Sequence, residues 1–210
     1  QEAVAGTKAE RYYMRLDPFT MREAAPEAAL STPTVTLPAG APLEVRVNCG
    51  MDLHDGGWQY RDEQGRVWLA DRTWRPGAQW GVRGGGAAVR TPADVELPRM
   101  ERLSGMYRAE RYALDGYTFR LPPGSYTVRL HFIESYNLEN ADPGRRVFDV
   151  DVGEQRLVGF DPVVEDGPGV PQIRTFENVR VGAEPLRISF SAASDEPPAV
   201  NGIEIIGSEP

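Results

Sequence analysis

Gly124-Ser125-Tyr126-Thr127-Val128-Arg129-Leu130-His131-Phe132-Ile133-Glu134 is the stretch that decides the fold class. Tyr126, Val128, Leu130 and Phe132 fall on one face, and Thr127, Arg129 and His131 on the other. Alternation with period two is the signature of a strand with one buried side. Pro122-Pro123-Gly124 punctuates its start, because proline fixes φ and glycine admits turn geometries. The same pattern recurs outward along the chain. It is found in Leu43-Glu44-Val45-Arg46-Val47, in Phe148, Val150 and Val152, and in Leu186, Ile188 and Phe190. No segment after Leu43 keeps a period of 3.6 over three turns. Many short strands without helices predict an all-β chain, a β-sandwich or jelly roll.

The first 42 residues read differently. Pro26, Pro33, Pro38 and Pro42 break any long helix, and Glu10 to Leu16 is compatible with one strand or a short helix. Residues 1–42 are therefore expected to be an extension or linker with a possible edge strand, and 43–210 the domain proper. Within the domain, Gly50 to Met106 is poor in strand signal, rich in glycine and arginine, and carries all four tryptophans, Trp58, Trp68, Trp74 and Trp80. A long irregular stretch inside a domain usually serves binding.

Composition narrows the partners. The net charge of −8, with no block of basic residues, opposes phosphate backbones, so no nucleic-acid partner is expected. No run approaches the ~20 apolar residues of a membrane span. A single cysteine, Cys49, excludes an internal disulfide and a zinc cluster. The chain starts at Gln1 and not at methionine, which is expected of a processed protein or a piece of a larger one.

Several segments, taken in order, resemble the malectin domain family. Val45-Arg46-Val47-Asn48-Cys49-Gly50 is similar to its first core strand. Asp62, Gly65, Trp68 and Asp71 match its D-x-x-G-x-x-W-x-x-D block, and Gln79-Trp80-Gly81 with Gly84-Gly85-Gly86 its glycine/aromatic loop. Met106-Tyr107-Arg108-Ala109-Glu110-Arg111-Tyr112 resembles its L-Y-Q-T-E-R-Y run, and Gly124 to Glu134 its G-x-Y-x-V-x-L-H-F-A-E strand. Arg145-Arg146-Val147-Phe148-Asp149-Val150 and Val200-Asn201-Gly202-Ile203-Glu204-Ile205 complete the likeness, which spans roughly residues 43–206.

The resemblance implies a galactose-binding-domain-like jelly roll. It also implies a non-catalytic lectin function on glucose-containing di- or oligosaccharides or a cell-surface polysaccharide, with no cofactor. Bacterial relatives serve as carbohydrate-binding modules of larger proteins, so a secreted, periplasmic or cell-surface location and contact with other domains of a parent protein are expected. Carried over position by position, the ligand-binding residues are Trp80, Tyr112, Tyr136 with Asn137, and Asp195 or Glu196. Asn137 stands where the family has a second aromatic. Residue chemistry supports the same types: an aromatic face packs on the C–H face of a pyranose while carboxylates and amides bind its hydroxyl rim. Trp80, Tyr112 and Tyr136 are accordingly expected together on one solvent-facing rim. Trp68, Trp74 and Tyr107 read as core, and Glu110 with Arg111 as supporting hydrogen bonds or an ion pair.

Catalysis finds little footing. His54 lies between Asp52 and Asp55, and His131 near Glu134, but two histidines without H-E-x-x-H do not nominate a zinc enzyme. No G-x-S-x-G elbow, phosphate loop or D-x-D-x-D-G calcium loop occurs. The alternative to sugar binding is a docking or spacer module, which would display a broad apolar patch in place of a polar, aromatic rim.

Overall fold

The computed structural model describes residues 21–23, 43–51, 58–89, 105–136 and 141–208, with backbone only for 21–23, 58–60 and 105. It is an all-β sandwich. The strands are β1 (Met21–Glu23), β2 (Glu44–Asn48), β3 (Trp58–Arg61), β4 (Val67–Ala70), β5 (Trp80–Val89), β6 (Ala109–Phe119) and β7 (Gly124–Phe132). They continue with β8 (Phe148–Val152), β9 (Gln155–Phe160), β10 (Gln172–Val181), β11 (Leu186–Ala192), β12 (Ala199–Val200) and β13 (Gly202–Gly207). A 3-10 turn at Gly105–Arg108 leads into β6, and no α-helix occurs among the described residues.

One sheet has the order β1-β3-β4-β2-β13-β7-β10. The other has the order β12-β6-β11-β8-β9, with β5 along the remaining side of β6. The alternating strands behave as their sequences predict. Val47, Val128, Leu130, Phe132, Ile203 and Ile205 of the first sheet meet Tyr117, Phe119, Phe148, Val150, Ile188 and Phe190 of the second in one continuous core. Phe132 packs on Phe148 and Phe160 with ring centroids 5.8 and 4.7 Å apart.

The segment 50–106, expected to be irregular, contains β3, β4 and β5. β5 holds Gly84-Gly85-Gly86 and so lacks apolar alternation, yet it pairs with β6 from Trp80↔Phe119 to Val89↔Ala109. Ahead of the domain, Met21–Glu23 pairs antiparallel with Trp58–Tyr60 on the edge of the first sheet. The segment Glu10 to Leu16, expected to hold a strand or short helix, lies outside the described residues.

The ladders define two poles. Asn48, Val89, Ala109, His131, Phe148, Phe160, Gln172, Ala192 and Gly202 all lie toward one pole, as Gly202↔Asn48, Gly202↔His131, Gln172↔Phe132 and Ala192↔Phe148 require. Glu44, Trp80, Phe119, Gly124 and Gly207 lie toward the other. The loops after β7 and β11, and those before β6 and β8, therefore gather at the first pole.

Candidate functional site

A shallow, solvent-open depression sits at that first pole, lined among others by Glu134, Tyr136, Arg145, Arg146, Val163 and Glu196. Tyr136 is 47% exposed. It follows the last hydrophobic residues of β7, where the period-two burial ends and the chain turns out of the sheet. Glu134 is buried beneath it. One Glu134 carboxylate oxygen accepts the Tyr136 backbone N–H at 2.8 Å, and the other meets Arg146 Nε at 2.5 Å. Arg146, also buried, donates through its terminal nitrogen to the Pro197 carbonyl. Arg145 reaches Glu196 at 3.0 Å, while the Glu196 N–H returns to the Arg145 carbonyl at 3.1 Å. Ser194 accepts from Val147 N–H at 2.7 Å and donates to the Arg145 carbonyl at 2.6 Å. Two loops distant in sequence are thus tied into one wall.

Of the residues expected at the site, Tyr136 and Glu196 line the same depression. Asp195 is exposed next to Glu196 but does not line it. Tyr112 is 38% exposed and pairs with Ala199, one residue past the Pro198 carbonyl that accepts Ala113 N–H at 2.9 Å. The segment 195–199 therefore runs between the depression and Tyr112. The Tyr112 ring lies over Gly86: a β-carbon placed there would sit 2.6 Å from the ring. Asn137 lies outside the described residues.

Trp80 does not join them, which corrects the expectation of a shared rim. It begins β5 opposite Phe119, at the far pole, seven residues along β6 from Tyr112. At the rise of a strand that separates the two by on the order of 20 Å. Trp80 is only 9% exposed; it stacks on Phe119 with centroids 6.0 Å apart, and the Arg72 guanidinium lies 4.3 Å over its ring. The glycines that follow it gave the sequence a loop-like look, but the ladder with β6 draws the indole inward.

The supporting residues are placed as their types suggest. Asp71, buried, accepts from Gly50 N–H at 2.9 Å, Arg111 Nε at 2.8 Å and Tyr117 OH at 2.8 Å. Burial pushes its carboxyl up, against the pull of the Arg111 charge and of these hydrogen bonds. Burial also raises the Cys49 thiol well above its ordinary value. Trp68 and Met106 form a second small core on the outer face of the first sheet, with Tyr107 packed against it. His131 sits there edge-on to Trp68, its two ring nitrogens 2.9 Å from Tyr107 OH and from Glu204. The position is structural, as expected for this histidine.

Glu134, Arg145 and Arg146 were not singled out as site residues from sequence. Their only sequence signal is a carboxylate two residues before an exposed tyrosine and twin arginines just ahead of a strand. Chemically, the depression offers a half-exposed phenol ring, carboxylate acceptors and guanidinium donors, a set suited to a hydroxylated ring with an apolar face. Both of its glutamates are engaged by arginines. Among the described residues, no group of histidine, cysteine and acidic side chains is arranged to hold a metal ion, and no helix is long and apolar enough to cross a membrane.

The malectin domain family matches residues 44–208. A β-glucuronidase of Bacteroides uniformis is similar over 79% of this chain and 18% of its own, at 20% identity and a TM-score of 0.63. The plant receptor-like kinase FER is similar over 79% of this chain and 42% of its own, at 23% identity and a TM-score of 0.56. FER in complex with the plant peptide RALF23 and LLG2 gives 16% identity and a TM-score of 0.58, over 80% and 52%. The chain thus spans less than a fifth of the glucuronidase and about half of the receptor chain. At these identities the likeness is one of fold. No curated protein matches the sequence.

Proposed function

The chain belongs to the malectin domain family, a carbohydrate-binding kind of domain, and from that premise we propose that it binds a glucose-containing di- or oligosaccharide at the depression beside Tyr136. The observation that carries this reading is the meeting of Tyr136 and Glu196 around one cavity, flanked by Tyr112. The Tyr136 ring takes the apolar face of the sugar. Glu196 accepts its hydroxyls, and Arg145 donates to them. Burial of ~100 Å² of sugar face is worth roughly 2.5 kcal/mol, so two aromatic contacts less ordering costs give millimolar to micromolar affinity. The domain acts without catalysis, in a secreted, periplasmic or surface-exposed parent protein.

Calorimetric titration with maltose, nigerose, cellobiose, laminaribiose and soluble glucans tests this. Saturable binding lost in Tyr136→Ala supports the reading; silence across the panel from the folded protein refutes it. The second reading, a docking module, draws on the withdrawal of Trp80 from the rim and on the peptide complex known for the plant receptor. Under it the same titrations stay silent.

A further inference from the structure

We propose that Glu134 and Arg146 are positioning residues, a buried brace that pre-forms the ligand site by fixing Tyr136 against the loop that carries Glu196. This rests on the carbohydrate reading for its ligand but not for its geometry. Both side chains are almost fully buried, about as deep as the aliphatic core. A buried ion pair is weak support for stability, since apolar residues of similar volume often replace one without loss. Its persistence at this spot calls for another reason, and the hydrogen bonds supply one.

Each side chain of the brace holds the other and, with a second polar atom, the site's own backbone. Glu134 Oε1 holds the Tyr136 N–H, and the Glu134 carbonyl accepts Gly169 N–H at 2.8 Å, so the segments around 134–136 and 169 move as one. Arg146 bridges from Glu134 Oε2 to the Pro197 carbonyl, one residue from Glu196 and two from the pair Ala199↔Tyr112. Residues 134–136 and 146 come from the two ends of the β7–β8 connection, and Pro197 from the loop after β11. Ser194 and Glu196 also tie the loop after β11 to the chain just ahead of β8, and Arg146 adds the tie from that pair to Glu134. A ring fixed before binding spares the ligand the cost of ordering it. The brace therefore governs affinity more than folding.

The test replaces both partners by apolar side chains, Glu134→Met with Arg146→Met, in the full chain. Amide hydrogen exchange and thermal unfolding are measured together, with titration of maltose and laminaribiose alongside. The expected result is an unfolding midpoint close to that of the unaltered protein and exchange at the Tyr136 amide about tenfold faster or more, with the Leu130 amide in β7 unchanged. Where the unaltered protein binds a sugar of the pair, its Kd in the double variant rises about tenfold or more. Unchanged exchange at Tyr136, or unchanged Kd, overturns the proposal. A double variant that does not fold overturns the claim that the brace acts on binding and not on folding. In the unaltered protein alone, a Tyr136 amide exchanging at the free-chain rate overturns it as well. If neither sugar binds, the carbohydrate reading suffers, while the exchange data still decide the brace.

Discussion

Trp80 and Tyr112 lie toward opposite ends of one ladder: Trp80 faces Phe119 at the far pole, and Tyr112 faces Gly86 on the side of the depression. The two aromatics therefore answer to different forces. Trp80 is held by the core and by Arg72, Tyr112 by the floor that a glycine leaves open.

Trp80→Ala is expected to destabilise the fold by about 3–5 kcal/mol, as large-to-small substitutions in a core do. Sugar affinity of the folded fraction should stay the same. Tyr136→Ala should do the reverse, leaving stability nearly unchanged and weakening sugar binding by roughly 2.5 kcal/mol. Chemical denaturation and calorimetry on the two variants read both quantities. Affinity lost in Trp80→Ala would contradict its placement.

Gly86→Ala places a methyl 2.6 Å from the Tyr112 ring, at the end of a side chain that can swing away. The protein should fold, and its sugar affinity should fall as Tyr112 is displaced. Gly116→Ala is the contrasting case. There the new carbon meets the Ile188 carbonyl oxygen at 2.0 Å, and φ is +150°, so unfolding at lower temperature is expected. Thermal melts paired with titration separate the two outcomes.

Asp71→Ala should cost about 3–5 kcal/mol, because it leaves the buried Arg111 guanidinium without its 2.8 Å partner and the Tyr117 hydroxyl without its acceptor. Urea denaturation measures this. A loss below 1 kcal/mol would mean that water or another acceptor reaches Arg111.

Glu204 supplies a pH signature. Burial raises its pKa, but the His131 hydrogen bond and charge, with those of Arg46, outweigh this and hold it at about 2 against an ordinary 4.5. A depressed carboxyl stabilises the fold above its unfolded pKa and loses that contribution as pH falls through the folded value. The stability advantage of the unaltered protein over Glu204→Gln should therefore shrink between pH 4.5 and pH 2. Denaturation curves at stepped pH check it. An advantage constant over that window would show that Glu204 does not carry it.

The strands with period-two patterns were legible in the sequence, since Leu43–Val47, Tyr126–Phe132, Phe148–Val152 and Leu186–Phe190 each bury alternate residues in one core. β5 was not, because three glycines erase its apolar alternation and only its long partner β6 makes it a strand. Asp62, Gly65, Trp68 and Asp71 stood out as a block, and their meaning became visible only in three dimensions. Asp62 accepts the Trp68 indole N–H at 2.9 Å, Gly65 turns with φ at +77°, and Asp71 anchors Arg111. Tyr136 and Glu196, singled out through the family resemblance from the aromatic after the F-A-E strand and the acid before the last strand, line one depression. Glu134 and Arg146 were given no role, as they stand 12 residues apart in one connection that carries no periodicity to show which side chains meet.

β2 and β13 lie side by side in the middle of the first sheet, from Glu44↔Ile206 to Asn48↔Gly202, with Gly207 N–H bonded to the Leu43 carbonyl at 2.7 Å. Leu43 and Gly207 thus form a hinge-side pair at the pole away from Tyr136. A tether pulling on those two points would load the β2–β13 bonds one after another, as a zipper, and not all at once in shear. The first rupture would open the far pole, and Tyr136 with Glu196 would be the last part of the domain to feel the force.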